Sequence, residues 1–110
     1  MKITINSDRF DELQLRILEE LIGSIRDALE EAGITDAQAL REATGSIAFS
    51  VAAIIDGSRI MELDGEPVTP VLTFAKEVDG TDLVGAEGGS WMHEYVFGTV
   101  DEVFDNGDEG

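Results

Sequence analysis

Between Ala43 and Asp56 the chain reads Thr44-Gly45-Ser46-Ile47-Ala48-Phe49-Ser50-Val51-Ala52-Ala53-Ile54-Ile55, and two elements compete for it. As a strand broken off at Gly45, it would place Phe49, Val51 and Ala53 on one face and Ala48, Ala52 and Ile54 on the other. Only Ser50 would then be polar. As a helix it continues a three-and-four spacing through Leu40, Ala43, Ile47, Val51 and Ile54, with Ala48 and Ile55 beside them. Ala48, Ala52 and Ala53 are good helix formers and poor strand formers. The segment therefore reads as a continuous, largely buried helix ending near residue 55. Thr35 with Gln38 supplies a capping box at its start, and Asp56-Gly57 supplies the stop.

Upstream, Phe10, Leu13, Ile17, Leu21, Ile25, Ala28 and Ala32 recur at the same spacing, and Leu18, Ile22 and Leu29 widen the stripe. This predicts a helix over 8–32 with one broad apolar face. Ser7 is its expected N-cap, with Asp8, Asp11 and Glu12 near the positive end of the helix dipole. Glu12 with Arg16, and Arg26 with Glu30, have the spacing of surface ion pairs. Gly33 and Ile34 suit a Schellman ending. Before the helix, Ile3 and Ile5 alternate with polar residues, as in a short strand.

Downstream the texture changes. Arg59 to Leu63 is strand-like, and Asp64-Gly65 is a strong hairpin turn. Pro67 and Pro70 make the first part of the returning arm an edge or irregular, which leaves Val71 to Ala75 as the better strand. Asp79-Gly80 reads as a turn and Val84 to Gly89 as a glycine-rich loop. Ser90 is placed to cap a third helix over 91–104, with Met92, Val96, Val100 and Val103 in line and Phe97 and Phe104 beside them. Residues 105–110 read as a frayed acidic tail.

These elements give an α+β fold: two long N-terminal helices, a small antiparallel hairpin or sheet, and a C-terminal helix. With 110 residues, the chain is expected to form a single domain over 1–110. Hydrophobic residues make up 43% of it, too many for a disordered acidic segment. No run approaches the roughly 18 apolar residues of a membrane span, and the N-terminus lacks a signal peptide's apolar stretch. A cytoplasmic protein that does not bind membrane is expected. Having no cysteine, the chain offers no disulfide, thiolate nucleophile or zinc-ribbon site.

The charge narrows the function classes. The chain carries 24 acidic and 7 basic side chains, net −17 with histidine neutral. Residues 1–55 hold ten acids against five bases, whereas residues 56–110 hold fourteen against Arg59 and Lys76 alone. Such a field repels nucleic acid and speeds encounter with a basic partner. General solvation or salt adaptation accounts for the acidity equally well, and the low lysine count (Lys2 and Lys76) fits it.

The chemistry-bearing residues are few. His93 is the only histidine; Glu94 points about 100° away from it around a helix, and no orienting carboxylate is apparent in the sequence. It reads as a packed or surface residue. Asp105-Asn106-Gly107-Asp108-Glu109 superficially resembles a calcium loop, but an EF-hand needs a further Glu and a following helix. Asp79 with Asp82, and Glu62 with Asp64 and Glu66, read as solvated turn acids rather than metal ligands. The Gly85–Ser90 cluster has no following Lys or Arg and holds Glu87, unlike a phosphate loop. The serines lack a nucleophile-elbow context. No cofactor or metal is expected.

Trp91, Met92 and Tyr95 stand beside the glycine loop, within the acidic half. Aromatic residues and methionine enrich the centres of protein interfaces, although such residues also cover the ends of cores. The expectation is a non-catalytic acidic protein-binding module that docks on a basic protein, in the manner of an immunity, antitoxin-like or nuclease-inhibiting protein. Trp91, Tyr95, Glu87, Glu94, Asp101 and Glu102 are its candidate contact residues. The alternative is a small structural or homo-oligomeric accessory domain whose acidity serves solubility or salt adaptation.

Overall fold

A computed structural model describes residues 2–77, 80 and 82–107 and shows an α+β fold. In chain order the elements are β1 (Lys2–Ile5), α1 (Ser7–Glu31), α2 (Ala37–Ile55), β2 (Met61–Leu63), β3 (Glu66–Val68), β4 (Phe74–Ala75) and β5 (Asp82–Gly85). A 3-10 turn (Met92–Tyr95) then leads into α3 (Val96–Gly107).

The caps differ from those expected. Ser7 lies inside α1, and Asn6 caps it by accepting from the Arg9 backbone N–H at 3.1 Å. Asp36, not Thr35, caps α2, accepting from the Ala39 backbone N–H at 2.9 Å. In each case a neighbouring side chain, one residue earlier for α1 and one later for α2, reaches an orphan donor of the first turn. The far end of α1 closes as expected. Ile34 N–H reaches Leu29 O and Gly33 N–H reaches Glu30 O, both at 3.0 Å, with Gly33 at φ +100° and Ile34 packed against the core. This is the paired bonding of a Schellman motif.

The middle of the α1 stripe also differs in centre. Its buried ridge is Phe10, Gln14, Leu18 and Ile22, an i, i+4 row that takes in one polar residue. Gln14 tolerates burial because its amide is used at both ends: Nε2 donates to Asp11 at 2.8 Å and Oε1 accepts from Ser90 Oγ at 2.9 Å. The expected surface ion pairs take other partners. Arg16 pairs with Glu19 and Glu20 rather than Glu12, and Arg26 with Asp27 rather than Glu30.

Helix α2 runs unbroken through Gly45 to Ile55. The glycine is accommodated because α3 packs there: a Cβ on Gly45 would lie 3.2 Å from the Phe97 ring. What suggests a break in the sequence is thus a close approach of two helices. The core is assembled from three helical stretches, with Leu18 and Ile22 of α1, Leu40, Ala48 and Ala52 of α2, and Met92, Val96, Val100 and Phe104 of the C-terminal stretch. Met92 and Val96 are fully buried, each worth about 1.5–3 kcal/mol of burial.

Two small sheets complete the fold. Strands β2 and β3 form an antiparallel hairpin around Asp64 (φ 52°) and Gly65 (φ 80°), whose two positive φ values are those of a type I′ turn. Pro67 sits within β3, tolerated because the hairpin has no third strand among the described residues. The other sheet has the order β1-β5-β4. Strand β5 pairs antiparallel with β4 and parallel with β1, so this sheet is mixed. Val84 and Gly85, expected to open the glycine loop, instead end its central strand, Asp82–Gly85, and the expected strand over 71–75 shrinks to Phe74–Ala75. The sheet meets α1 where the Phe10 and Phe74 rings pack edge to face at 5.4 Å.

The C-terminal helix starts as a 3-10 turn and continues as α3 to Gly107, past the expected end at 104. Residues 108–110 of the expected tail, and Asp79 of the expected turn, lie outside the described residues. No helix among the described residues is long and apolar enough to cross a membrane.

Candidate functional site

The end of α2 and the start of the 3-10 turn are joined by one carboxylate. Gly57, at φ +80°, ends α2 where any Cβ would lie 2.6 Å from Thr69, and it leaves Asp56 turned inward. The Asp56 side chain is fully buried. Its Oδ2 accepts from the His93 backbone N–H at 3.0 Å and from the His93 ring Nδ1, and its Oδ1 accepts from the Ser58 backbone N–H at 2.9 Å. Burial pushes the Asp56 carboxyl up. Hydrogen bonds from the backbone and ring of His93, then from the hydroxyl and backbone of Ser58, outweigh it and hold the group below its ordinary value. The expectation that His93 has no orienting carboxylate is therefore corrected. The partner lies 37 residues earlier, at a position that reads in the sequence only as a helix stop.

This cluster resembles part of a catalytic triad in composition but not in arrangement. A triad places its acid on one ring nitrogen and its nucleophile on the other. Here Ser58 Oγ lies 3.1 Å from Nδ1, the nitrogen that Asp56 already occupies. What the arrangement does is fix the imidazole plane and clamp the 3-10 turn to α2.

The fixed ring forms part of a row. Trp91 lies 6.3 Å from His93 between ring centroids, and His93 meets Phe49 edge-on at 5.7 Å. Phe49 in turn stacks on Phe97 at 5.8 Å, the two planes inclined by only 22°. Three of the four are open to solvent, Trp91 at 52%, Phe97 at 58% and Phe49 at 38%. Beside the Phe49–Phe97 pair lies an open groove of about 330 Å³, lined also by Glu42, Ser46 and Ser50.

Of the candidate contact residues, Trp91 belongs to this row. Tyr95 is also exposed, and its carbonyl accepts from Thr99 Oγ1 at 2.8 Å. Glu87, Glu94 and Glu102 are exposed. Asp101 is drawn to another place: with Asp105 it holds the Arg41 guanidinium, which also lies 5.7 Å from the Phe104 ring centroid. The sequence reading missed Phe49, Phe97 and Glu42. Phe49 follows the buried Ala48 and is turned about 100° off the buried line, and Phe97 is off the Met92–Val96–Val100 line. An aromatic residue on a helix flank is the signal that could have found the two rings, and Glu42 carries no such signal.

Among the described residues no three Asp, Glu or His side chains converge to hold a metal ion. No protein-family model, curated protein or solved structure matches the chain.

Proposed function

We propose that this chain is a non-catalytic acidic binding module that docks on a basic protein through the exposed row Trp91–His93–Phe49–Phe97. The observation that carries the proposal is that row itself, displayed on a chain of net charge −17. Rigid aromatic side chains supply contact area at low entropic cost and dominate interface energetics. The surrounding acid steers a cationic partner and sets the orientation of docking. An immunity, antitoxin-like or nuclease-inhibiting protein works by this kind of surface.

The test is association of the full chain with basic proteins of native lysate, at low and at high salt. Capture of basic proteins that falls steeply with salt, and that Trp91→Ala and Phe97→Ala each weaken, supports the proposal. Capture indifferent to both salt and these substitutions sinks it.

A second reading, self-association, is favoured by the β2–β3 hairpin. Ile60, Val71 and Leu63 on and beside it are 87%, 75% and 66% exposed. A two-stranded hairpin is marginal in water without a covering surface. The radius of gyration, 15.7 Å, exceeds the ~13 Å of a compact chain of this length. Sedimentation that shows a dimer dispersed by Ile60→Ser with Leu63→Ser favours this reading; a monomer at all concentrations removes it.

A further inference from the structure

We infer that the groove beside the stacked Phe49–Phe97 pair receives an arginine side chain of the partner, an inference that rests on the docking function proposed above. Four features of the groove point to a guanidinium. Its lining is aromatic, with two nearly parallel rings whose centroids lie 5.8 Å apart, and a planar cation stacks on aromatic faces. The groove is lined also by Glu42, an exposed carboxylate whose Oε1 accepts from Gln38 at 3.2 Å. Among the described residues no cationic side chain pairs with Glu42, although Arg9, Arg16, Arg26 and Arg41 all have carboxylate partners. Ser46 and Ser50, which line the groove too, add hydroxyl acceptors.

The fourth feature lies one residue away. Arg41 sits over the Phe104 ring with its guanidinium held by Asp101 and Asp105. The fold already holds one arginine of its own with an aromatic face and carboxylates. The Phe49–Phe97–Glu42 groove offers the same groups, and among the described residues no cationic side chain pairs with Glu42 or lies over either ring. Lysine fits less well, because a compact ammonium neither stacks in plane nor presents a fork to a carboxylate.

The experiment is a titration of the isotope-labelled full chain, followed by NMR at low salt, with two end-blocked Gly-Ser peptides. They are identical except that one carries arginines where the other carries lysines. The inference expects the arginine peptide to bind about three- to fivefold more tightly than the lysine peptide, the size of one exposed cation–π contact. It expects shifts centred on Glu42, Ser46, Phe49, Ser50 and Phe97. Glu42→Gln and Phe97→Leu should each erase the preference, with unchanged circular dichroism showing that both variants fold. Equal binding of the two peptides, with shifts spread over the acidic surface, overturns the arginine groove and leaves the basic-partner function standing. Binding of neither peptide overturns both.

Discussion

Asp56 and His93 are joined twice by one oxygen: Oδ2 accepts from the His93 backbone N–H and from its ring nitrogen, inside a side-chain environment that excludes water. Asp56→Asn keeps the shape but turns an amide N–H or a weaker acceptor toward donors that need an anion. Hydrogen bonds to a charged group contribute about 1.5–3 kcal/mol each, and losing one leaves a buried donor unpaired. The variant is expected to lose about 2–3 kcal/mol of stability in urea denaturation at neutral pH. It should also broaden the ring resonances of Phe49 and Trp91, because the imidazole between them loses its anchor.

The same carboxylate fixes a pH signature. Asp56 is held below its ordinary 3.8 in the folded chain, so on acidification the unfolded chain takes up that proton first. Its contribution is complete above the unfolded value and is lost as pH falls through the folded one. The stability gap between the native chain and Asp56→Asn should therefore shrink below about pH 4. The gap between the two is the quantity to measure, since the remaining carboxylates are common to both chains. A gap that widens with acid would mean that the carboxyl is raised by its burial instead.

Thr44 is fully buried, and its hydroxyl has no hydrogen-bond partner among the described residues. Its desolvation is uncompensated, at a cost of about 1–3 kcal/mol. Thr44→Val replaces the hydroxyl with a methyl of nearly the same shape at a site already surrounded by core side chains. Thermal or urea denaturation should show a gain of about 1 kcal/mol. A loss would mean that a water or a backbone carbonyl serves that hydroxyl in solution.

These residues also show why part of the molecule was legible and part was not. Helices α1 and α2 were readable because local signals agree with tertiary demand: apolar periodicity, alanine-rich composition and the Gly33 and Gly57 stops all point the same way. The Asp64-Gly65 hairpin was readable because two positive φ values restrict the turn to few residue types. The parallel pairing of β1 with β5 spans most of the chain, and four residues of ordinary composition carry no sign of it. The site was hidden for the same reason. Asp56 and His93 each look unremarkable in their own segments, and the aromatic row exists only once α2 lies against the C-terminal stretch.

Ser90 is another residue whose local role concealed a distant one. Expected as the cap, it lies one residue before the N-cap position, Trp91, where it accepts from the Met92 backbone N–H at 3.2 Å and donates to Gln14 on α1 at 2.9 Å. Ser90→Ala removes both bonds and leaves Gln14 Oε1 buried without its donor. A loss of about 2 kcal/mol is expected. Adding Gln14→Leu should recover part of it, because the buried acceptor disappears with its unmet need. Strictly additive losses in this double-mutant cycle would show that the two side chains are not coupled.

The contact between Gly45 and Phe97 sets stability against function. In a helix interior, Gly→Ala stabilises by about 0.5–1 kcal/mol through backbone entropy. The new Cβ of Gly45→Ala would lie 3.2 Å from Phe97 Cε1, 3.5 Å from Cδ1 and 3.8 Å from Val100 Cγ2. That is too close at the ring and ordinary contact at the valine. Because Phe97 is 58% exposed, its ring can move outward by the few tenths of an ångström required, so most of the propensity gain should survive. Urea denaturation is expected to show about 0.5 kcal/mol of added stability. The moved ring, however, no longer stacks squarely on Phe49, and the groove beside them changes width. The arginine peptide should bind more weakly to this more stable variant. A variant that is destabilised by 1 kcal/mol or more, ~twice the expected gain and of opposite sign, would instead show that Phe97 is held rigidly against α2. In that case the glycine serves the packing of the helices and not the opening beside them.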